Sequence, residues 1–278
     1  MKNFLLIVVA VITTLLVQNF LIQPGNLKAT KKESAYDRVL RTGVLRCAYG
    51  LWEPAVMRDP NTGKMSGFIY DIMQEVGRSL NLKVEYTLEV PWDSIPMSLQ
   101  SGKADAHCAG IWATPSRGRV MAFSKPLGYS STAIFARKGD NRFDYNLERI
   151  NQPDIRVALS DDDITTEIYR RDFSKAQKYE LPQLSPPEEL FLAIATKKAD
   201  ITFNGPSRLP VFERSYPNAV KAVPVKDTRY IFPSTVAVDI GEEKLLHVIN
   251  TTIDQLINSG TIDRIIKKYR KNYDNEFF

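Results

Sequence analysis

Between Val44 and Ala109 the chain alternates between two hydrophobic rhythms, and this alternation limits the possible folds more than any other feature. Val44-Leu-Arg-Cys-Ala-Tyr49 is an apolar run of strand length. Ile69, Ile72, Met73, Val76 and Leu80 then recur at helical spacing, which predicts a helix with one buried face. Lys83 to Leu88 reads as a second strand, and Asp93 as the cap of a short helix ending near Gly102. Ala104 to Ala109 completes a βαβαβ order. That order builds a parallel sheet, and open parallel sheets take ligands beyond the C-terminal ends of their strands.

A second unit of the same grammar starts near Thr132-Ala-Ile-Phe-Ala136. Ile155 to Leu159 reads as a strand that runs into Ser160-Asp-Asp-Asp163 and then a helix from about Ile164. A helix from Glu188 to Lys197, a strand from Asp200 to Phe203 and a returning strand from Thr235 to Val238 follow. Helices from Glu242 to Asn258 and from Thr261 to Tyr269 close the pattern, separated by the stop signal Ser259-Gly260. Two α/β units predict two lobes with a cleft between them. Asp59 to Lys64 is a turn cluster; Gly63-Lys64 lacks the upstream glycine and the following Ser/Thr of a phosphate loop.

The bulk numbers exclude several classes. With 278 residues, 44% apolar and 25% charged, the chain can build one or two cores. A net charge of +5 without a dense Lys/Arg run gives no footprint for nucleic acid. One Lys ahead of the apolar stretch Phe4 to Ile22 resembles a secretory signal, and the stretch is nearly long enough for a membrane anchor. Both readings of residues 1–35 place the remainder outside the cytoplasm. Cys47 and Cys108 fall in strand-like segments; two buried free thiols are the plain expectation and one disulfide is the alternative.

The segment with most chemistry is Ala109-Gly-Ile-Trp-Ala-Thr-Pro-Ser-Arg-Gly-Arg-Val-Met-Ala-Phe-Ser-Lys-Pro126. A guanidinium is a rigid, always-charged fork that matches a carboxylate bidentately. Placed after a strand beside aromatic residues, Arg117 is a device for holding a small acid. A surface arginine like its neighbour Arg119 is the bland alternative.

From about Tyr36 onward, the chain resembles the type II periplasmic solute-binding proteins of the polar amino-acid family, the bacterial extracellular solute-binding proteins of family 3. The resemblance rests on Gly43-Val-Leu-Arg, Pro54, Gly63-Lys-Met-Ser-Gly-Phe68 before Asp71, and Trp92-Asp-Ser-Ile-Pro. It continues through Leu99-Gln-Ser-Gly-Lys-Ala-Asp105, Thr114-Pro-Ser-Arg117, Phe123-Ser-Lys-Pro126, Lys198-Ala-Asp200 and Gly260-Thr-Ile-Asp-Arg-Ile-Ile-Lys-Lys-Tyr269. It implies an α/β fold of two lobes, the second inserted in the first: residues 36–131 and 236–278 in lobe 1, and 132–235 in lobe 2. The crossings fall near Thr132–Ala136 and Ile231–Val236. Such lobes close by hinge motion on a small organic acid, an amino acid in most members, and present it to the membrane subunits of an ABC importer.

The resemblance also assigns roles unevenly. Arg117 matches the residue that pairs with the ligand carboxylate, Trp52 and Trp92 match aromatic positions against the ligand, and Gly110 sits where backbone groups face the carboxylate. Thr114 either donates to the ligand or caps its own turn. Trp112 departs from the usual Ser/Thr donor, and Tyr49 from an acidic residue found in binders of basic amino acids. The Asp that pairs with the ligand ammonium is absent near Gly205; Asn204 can accept a hydrogen bond but carries no charge. Asp162 or Asp163 replaces that charge, or these carboxylates simply cap the following helix.

Two other classes share parts of this pattern. An enzyme resembling cyclohexadienyl dehydratase would need a tuned acid or base. The candidates are His107 and His247, both of which read as structural, and the carboxylates Glu53, Asp161, Asp162 and Asp163. No nucleophile elbow or metal-spaced His/Cys cluster occurs, so neither cofactor nor metal is expected. A membrane-tethered sensory protein remains the third reading.

Overall fold

The computed structural model describes residues 13–14, 33–161, 163–182, 185–226 and 230–270. The chain divides into two units, Met1–Ser34 and Ala35–Phe278. The signal or anchor expectation therefore falls, except at Thr13 and Thr14, outside the described residues, as does Asp162. Among the described residues no helix is long and apolar enough to cross a membrane.

Twelve strands are described: β1 Val44–Tyr49, β2 Met57–Arg58, β3 Met65–Ser66, β4 Lys83–Glu89, β5 Ala106–Trp112, β6 Met121–Phe123, β7 Gly128–Arg137, β8 Arg156–Ser160, β9 Gln177–Leu181, β10 Ile201–Asn204, β11 Val220–Ala222 and β12 Tyr230–Asp239. β2 and β3 pair as a small hairpin, and the others join in one sheet with the path β4-β1-β5-β12-β7-β10-β8-β9. β4, β1 and β5 are parallel, and so are β10, β8 and β9. Between these parallel sets run the two long strands β7 and β12, paired antiparallel from Tyr230↔Thr132 to Ser234↔Gly128.

The core divides in the same way. Helix Phe68–Leu80 buries Phe68, Ile69, Ile72, Met73 and Val76 with Leu45, Cys47, Ile249 and Ile253. Each such side chain contributes about 1.5–3 kcal/mol when fully buried. A separate cluster centres on Ile134, Val157, Leu159, Ile168 and Phe203, and another on Phe135, Phe191 and Phe212. These are the interiors of two lobes.

Several expectations are corrected. Cys47 and Cys108 are not free thiols: they form a disulfide with S–S 2.01 Å. The parallel neighbours β1 and β5 pair Cys47 with Ala106 and Ala48 with His107, which brings the two cysteines within reach of each other. Asp93 is not a helix cap. It lies inside a 3₁₀ turn, Trp92–Ser94, and the helix that follows is Ile95–Gln100, with Pro96 in its first turn. The strand predicted to end at Ala109 continues to Trp112, so Gly110 and Trp112 belong to β5 and not to a turn. β2, β3, β9, β11 and helix Arg208–Glu213 were not anticipated; none is long enough to show a clear hydrophobic period.

Gly67 explains part of the Gly63–Phe68 motif. Its φ is +125°, and a Cβ there would stand 2.2 Å from the Ala55 carbonyl oxygen. Only glycine lets helix Phe68–Leu80 start this close to the Pro54–Ala55 backbone, whose carbonyls accept from Phe68 and Ile69 N–H. This contact fixes the loop that carries Trp52.

Candidate functional site

The C-terminal ends of the two parallel strand sets face one cavity of about 320 Å³. On the first lobe, Trp92 follows β4 by three residues, Trp52 follows β1 by three, and Gly110 and Trp112 lie at the end of β5. On the second, Ser160 ends β8, Leu181 ends β9 and Asn204 ends β10. This is where parallel α/β sheets place ligands. Apolar area dominates the walls, and all three tryptophans of the chain line it.

Trp52 meets Trp92 and Trp112 edge to face, with ring centroids 6.5 Å and 5.9 Å apart. Trp112 also tilts against Phe232 of β12 at 5.4 Å, so it touches the cores of both lobes. Its indole N–H donates to Ser130 Oγ at 3.0 Å. The single indole donor is thereby engaged, and Trp112 presents its ring to the cavity instead of a hydrogen bond. The N–H of an indole cannot do what a Ser or Thr hydroxyl does here.

Arg117 opens the 3₁₀ turn Arg117–Arg119 and lines the cavity, half-buried, while Arg119 is exposed. Its Nη1 donates to the Trp112 carbonyl at 3.1 Å, which orients the guanidinium. Among the described residues it has no ion-pair partner. A half-buried cation in apolar surroundings without a counter-ion is costly until an anion arrives. Thr114 is buried and does not line the cavity; its hydroxyl pairs with Ser116 Oγ at 3.0 Å and accepts from Arg117 N–H at 3.4 Å. It holds the turn from which Arg117 projects.

On the opposite wall Asp163 lines the cavity and caps helix Ile164–Asp172, its carboxylate accepting from Ile164 N–H at 2.6 Å. Thr165 and Thr166 hydroxyls bind the Ser160 carbonyl, so the strand end and helix start are locked together. Asn204 also lines the cavity, but its amide is used locally. Nδ2 donates to the Pro187 carbonyl at 3.2 Å, and Oδ1 accepts from Gly205 N–H at 2.9 Å.

His107 lies directly behind the site, 0% exposed, with its ring 5.5 Å from Trp92. Neither ring nitrogen has a hydrogen-bond partner among the described residues. Burial, helped by the positive charge of Arg117, pushes its pKa down to about 3. It is neutral at physiological pH and does not line the cavity. His247 is exposed on helix Glu243–Asn258, and Glu53 and Asp161 are exposed outside the cavity lining. Among the described residues no cluster of His, Cys, Asp and Glu has a metal-binding arrangement.

The cavity residues that the sequence did not mark as ligand-binding include Thr132 and Arg208. Thr132, on β7, is 3% exposed, and its Oγ1 has no partner among the described residues. Arg208 begins helix Arg208–Glu213 and contacts Glu188 Oε1 through Nη1 at 3.4 Å. A signal for Arg208 was present: Pro115-Ser-Arg117 recurs as Pro206-Ser-Arg208, each just beyond a strand end.

Two α/β lobes enclosing an aromatic cavity, with an arginine on its wall that has no ion-pair partner among the described residues, define a binding-protein architecture. The chain belongs to the bacterial extracellular solute-binding proteins, family 3, which match it over residues 45–272. It is 24% identical over 230 residues to a probable amino-acid ABC transporter-binding protein of Haemophilus influenzae, covering 82% of this chain and 85% of that one. It is 26% identical over 224 residues to the cyclohexadienyl dehydratase of Pseudomonas aeruginosa, covering 78% and 81%. Among solved structures it is similar to an ancestral amino-acid-binding protein, a precursor of cyclohexadienyl dehydratase, with TM-score 0.67 and 26% identity over 85% of this chain and 99% of that one.

Proposed function

We propose that this is an exported solute-binding protein that captures a small organic acid of the amino-acid type and delivers it to an ABC importer. The observation that carries the reading is Arg117: a half-buried, oriented guanidinium with no ion pair among the described residues, on the wall of an aromatic cavity. The similarity to a probable amino-acid ABC transporter-binding protein of Haemophilus influenzae supports that partner. In this reading Arg117 takes the carboxylate, Trp52, Trp92 and Trp112 pack on the body of the ligand, and Gly110 lets the backbone approach it. Asp163 and Asn204 line the far wall. Thr114 acts through Arg117.

The lobes are residues 36–131 with 236–278, and residues 132–235. They close about the paired strands β7 and β12. The segment before residue 36 directs export, as a cleaved signal or a retained anchor. Binding occurs without turnover: His107 is neutral and set behind the wall, and the Asp163 carboxylate is engaged at a helix start. A thermal-shift screen over amino acids and small organic acids tests the reading, because a ligand of the native state raises stability by mass action. A hit whose shift disappears in Arg117→Gln supports it. A hit that survives Arg117→Gln unchanged refutes the assignment, and turnover of a prephenate-like acid would move the protein to the enzyme class.

A further inference from the structure

We propose that the cavity is built for a diacid, with a second anion subsite at Arg208 facing the carboxylate clamp at Arg117. The inference rests on the reading of Arg117 above and names the ligand class for that site.

Two guanidiniums line the cavity, one from each lobe, and both are delivered by the same local device. In each case a strand ends, a Pro-Ser pair turns the chain, and the arginine opens a helical turn: Trp112 to Arg117 after β5, and Asn204 to Arg208 after β10. Against these two positive charges stands one described carboxylate on the wall, Asp163, and it accepts from the N–H of Ile164 at a helix start. An N-terminal helix end already complements that negative charge. Among the described residues Arg117 has no ion-pair partner and Arg208 meets Glu188 through a single contact, so each guanidinium is open to an acid group of a ligand.

Arg208 is poised and not locked. Its Glu188 contact uses one nitrogen and one oxygen at 3.4 Å, with side chains 21% and 34% exposed. This falls short of the parallel two-bond pairing that makes an arginine–carboxylate contact strong. A ligand carboxylate can take the guanidinium edge that Glu188 leaves. Thr132 adds a buried hydroxyl with no partner among the described residues, a second donor for the bound acid. The aromatic and proline residues of the cavity lining suit an apolar spacer.

The test is a calorimetric titration of the full chain with succinate, glutarate, adipate and isophthalate, each beside its monoacid counterpart butyrate, valerate, hexanoate or benzoate. A charge-assisted hydrogen-bonded contact is worth roughly ten- to a hundredfold in affinity. We expect at least one diacid to bind tenfold or more tightly than its monoacid, and Arg208→Gln to erase that excess by weakening the diacid at least tenfold more than the monoacid. Thr132→Val should weaken the same diacid. Glu188→Gln, which removes the competing carboxylate, should tighten it; a merely structural arginine would not respond in that direction. If no diacid exceeds its monoacid threefold, or the excess survives Arg208→Gln, the inference is wrong. Acids that bind through Arg117 with no diacid preference would leave the site reading standing and remove this one. Acids indifferent to Arg117→Gln would remove the site reading itself.

Discussion

Reducing the Cys47–Cys108 bond gives a test with a magnitude that follows from topology. The bond spans 61 residues of sequence and joins two parallel neighbours, both cysteines being fully buried. Cross-linking a loop of that length removes about 14 cal/mol/K of unfolded-chain entropy, or about 4 kcal/mol at 25 °C, in the loop-entropy treatment. A folded unit of this size unfolds with an entropy of about 0.5 kcal/mol/K, so the expected loss in Tm is about 8 °C. The clean comparison is oxidised protein against protein unfolded, reduced and refolded under reductant, because the two differ by a single bond. Scanning calorimetry reads the shift, and thiol titration of unfolded, unreduced protein should find no free thiol. Two free thiols in that titration, or melting points within about 2 °C of each other, would refute the reasoning.

Other perturbations probe the cavity and the layer behind it. His107 has a folded pKa near 3 against an ordinary value of 6.5, so the unfolded chain binds the extra proton first. Its contribution to stability is complete above pH 6.5 and is lost as pH falls toward 3, at a slope of about 1.4 kcal/mol per pH unit. His107→Leu should flatten urea stability between pH 6 and pH 4 by roughly that slope, and an unchanged profile would contradict the burial argument. Gly110 has φ +82°, and an added Cβ would sit 3.3 Å from Ile69 Cδ1. Gly110→Ala should therefore cost about 1–3 kcal/mol in urea unfolding and weaken ligand binding; a neutral result would show that the strand yields there.

How much of this was legible in the sequence follows from the length of each signal. Helix Phe68–Leu80 announces itself because five apolar residues share one face over 13 positions. The two-residue strands β2 and β3 offer no period at all. The Cys47–Cys108 bond depends on which strands become neighbours, and a pair of separated cysteines does not state that. Arg117 was readable from its loop, but the state of its neighbours was not. Whether Trp112 offers an N–H or a ring depends on Ser130, 18 residues away, and whether Asp163 is a cap depends on the helix that starts beside it. Arg208 was hidden because its helix has only six residues, although its Pro-Ser-Arg turn repeats the one at Arg117.

The central claim is that the Arg117 guanidinium holds a ligand carboxylate inside the cavity. Its most direct test is a double cycle by isothermal titration: an acid found by the screen and its primary amide, each titrated into wild-type protein and into Arg117→Gln. The account predicts that the wild type prefers the acid by about 1.5–3 kcal/mol and that Arg117→Gln binds both forms equally. An amide that binds the wild type as well as the acid does, or an acid preference that persists without Arg117, would contradict it.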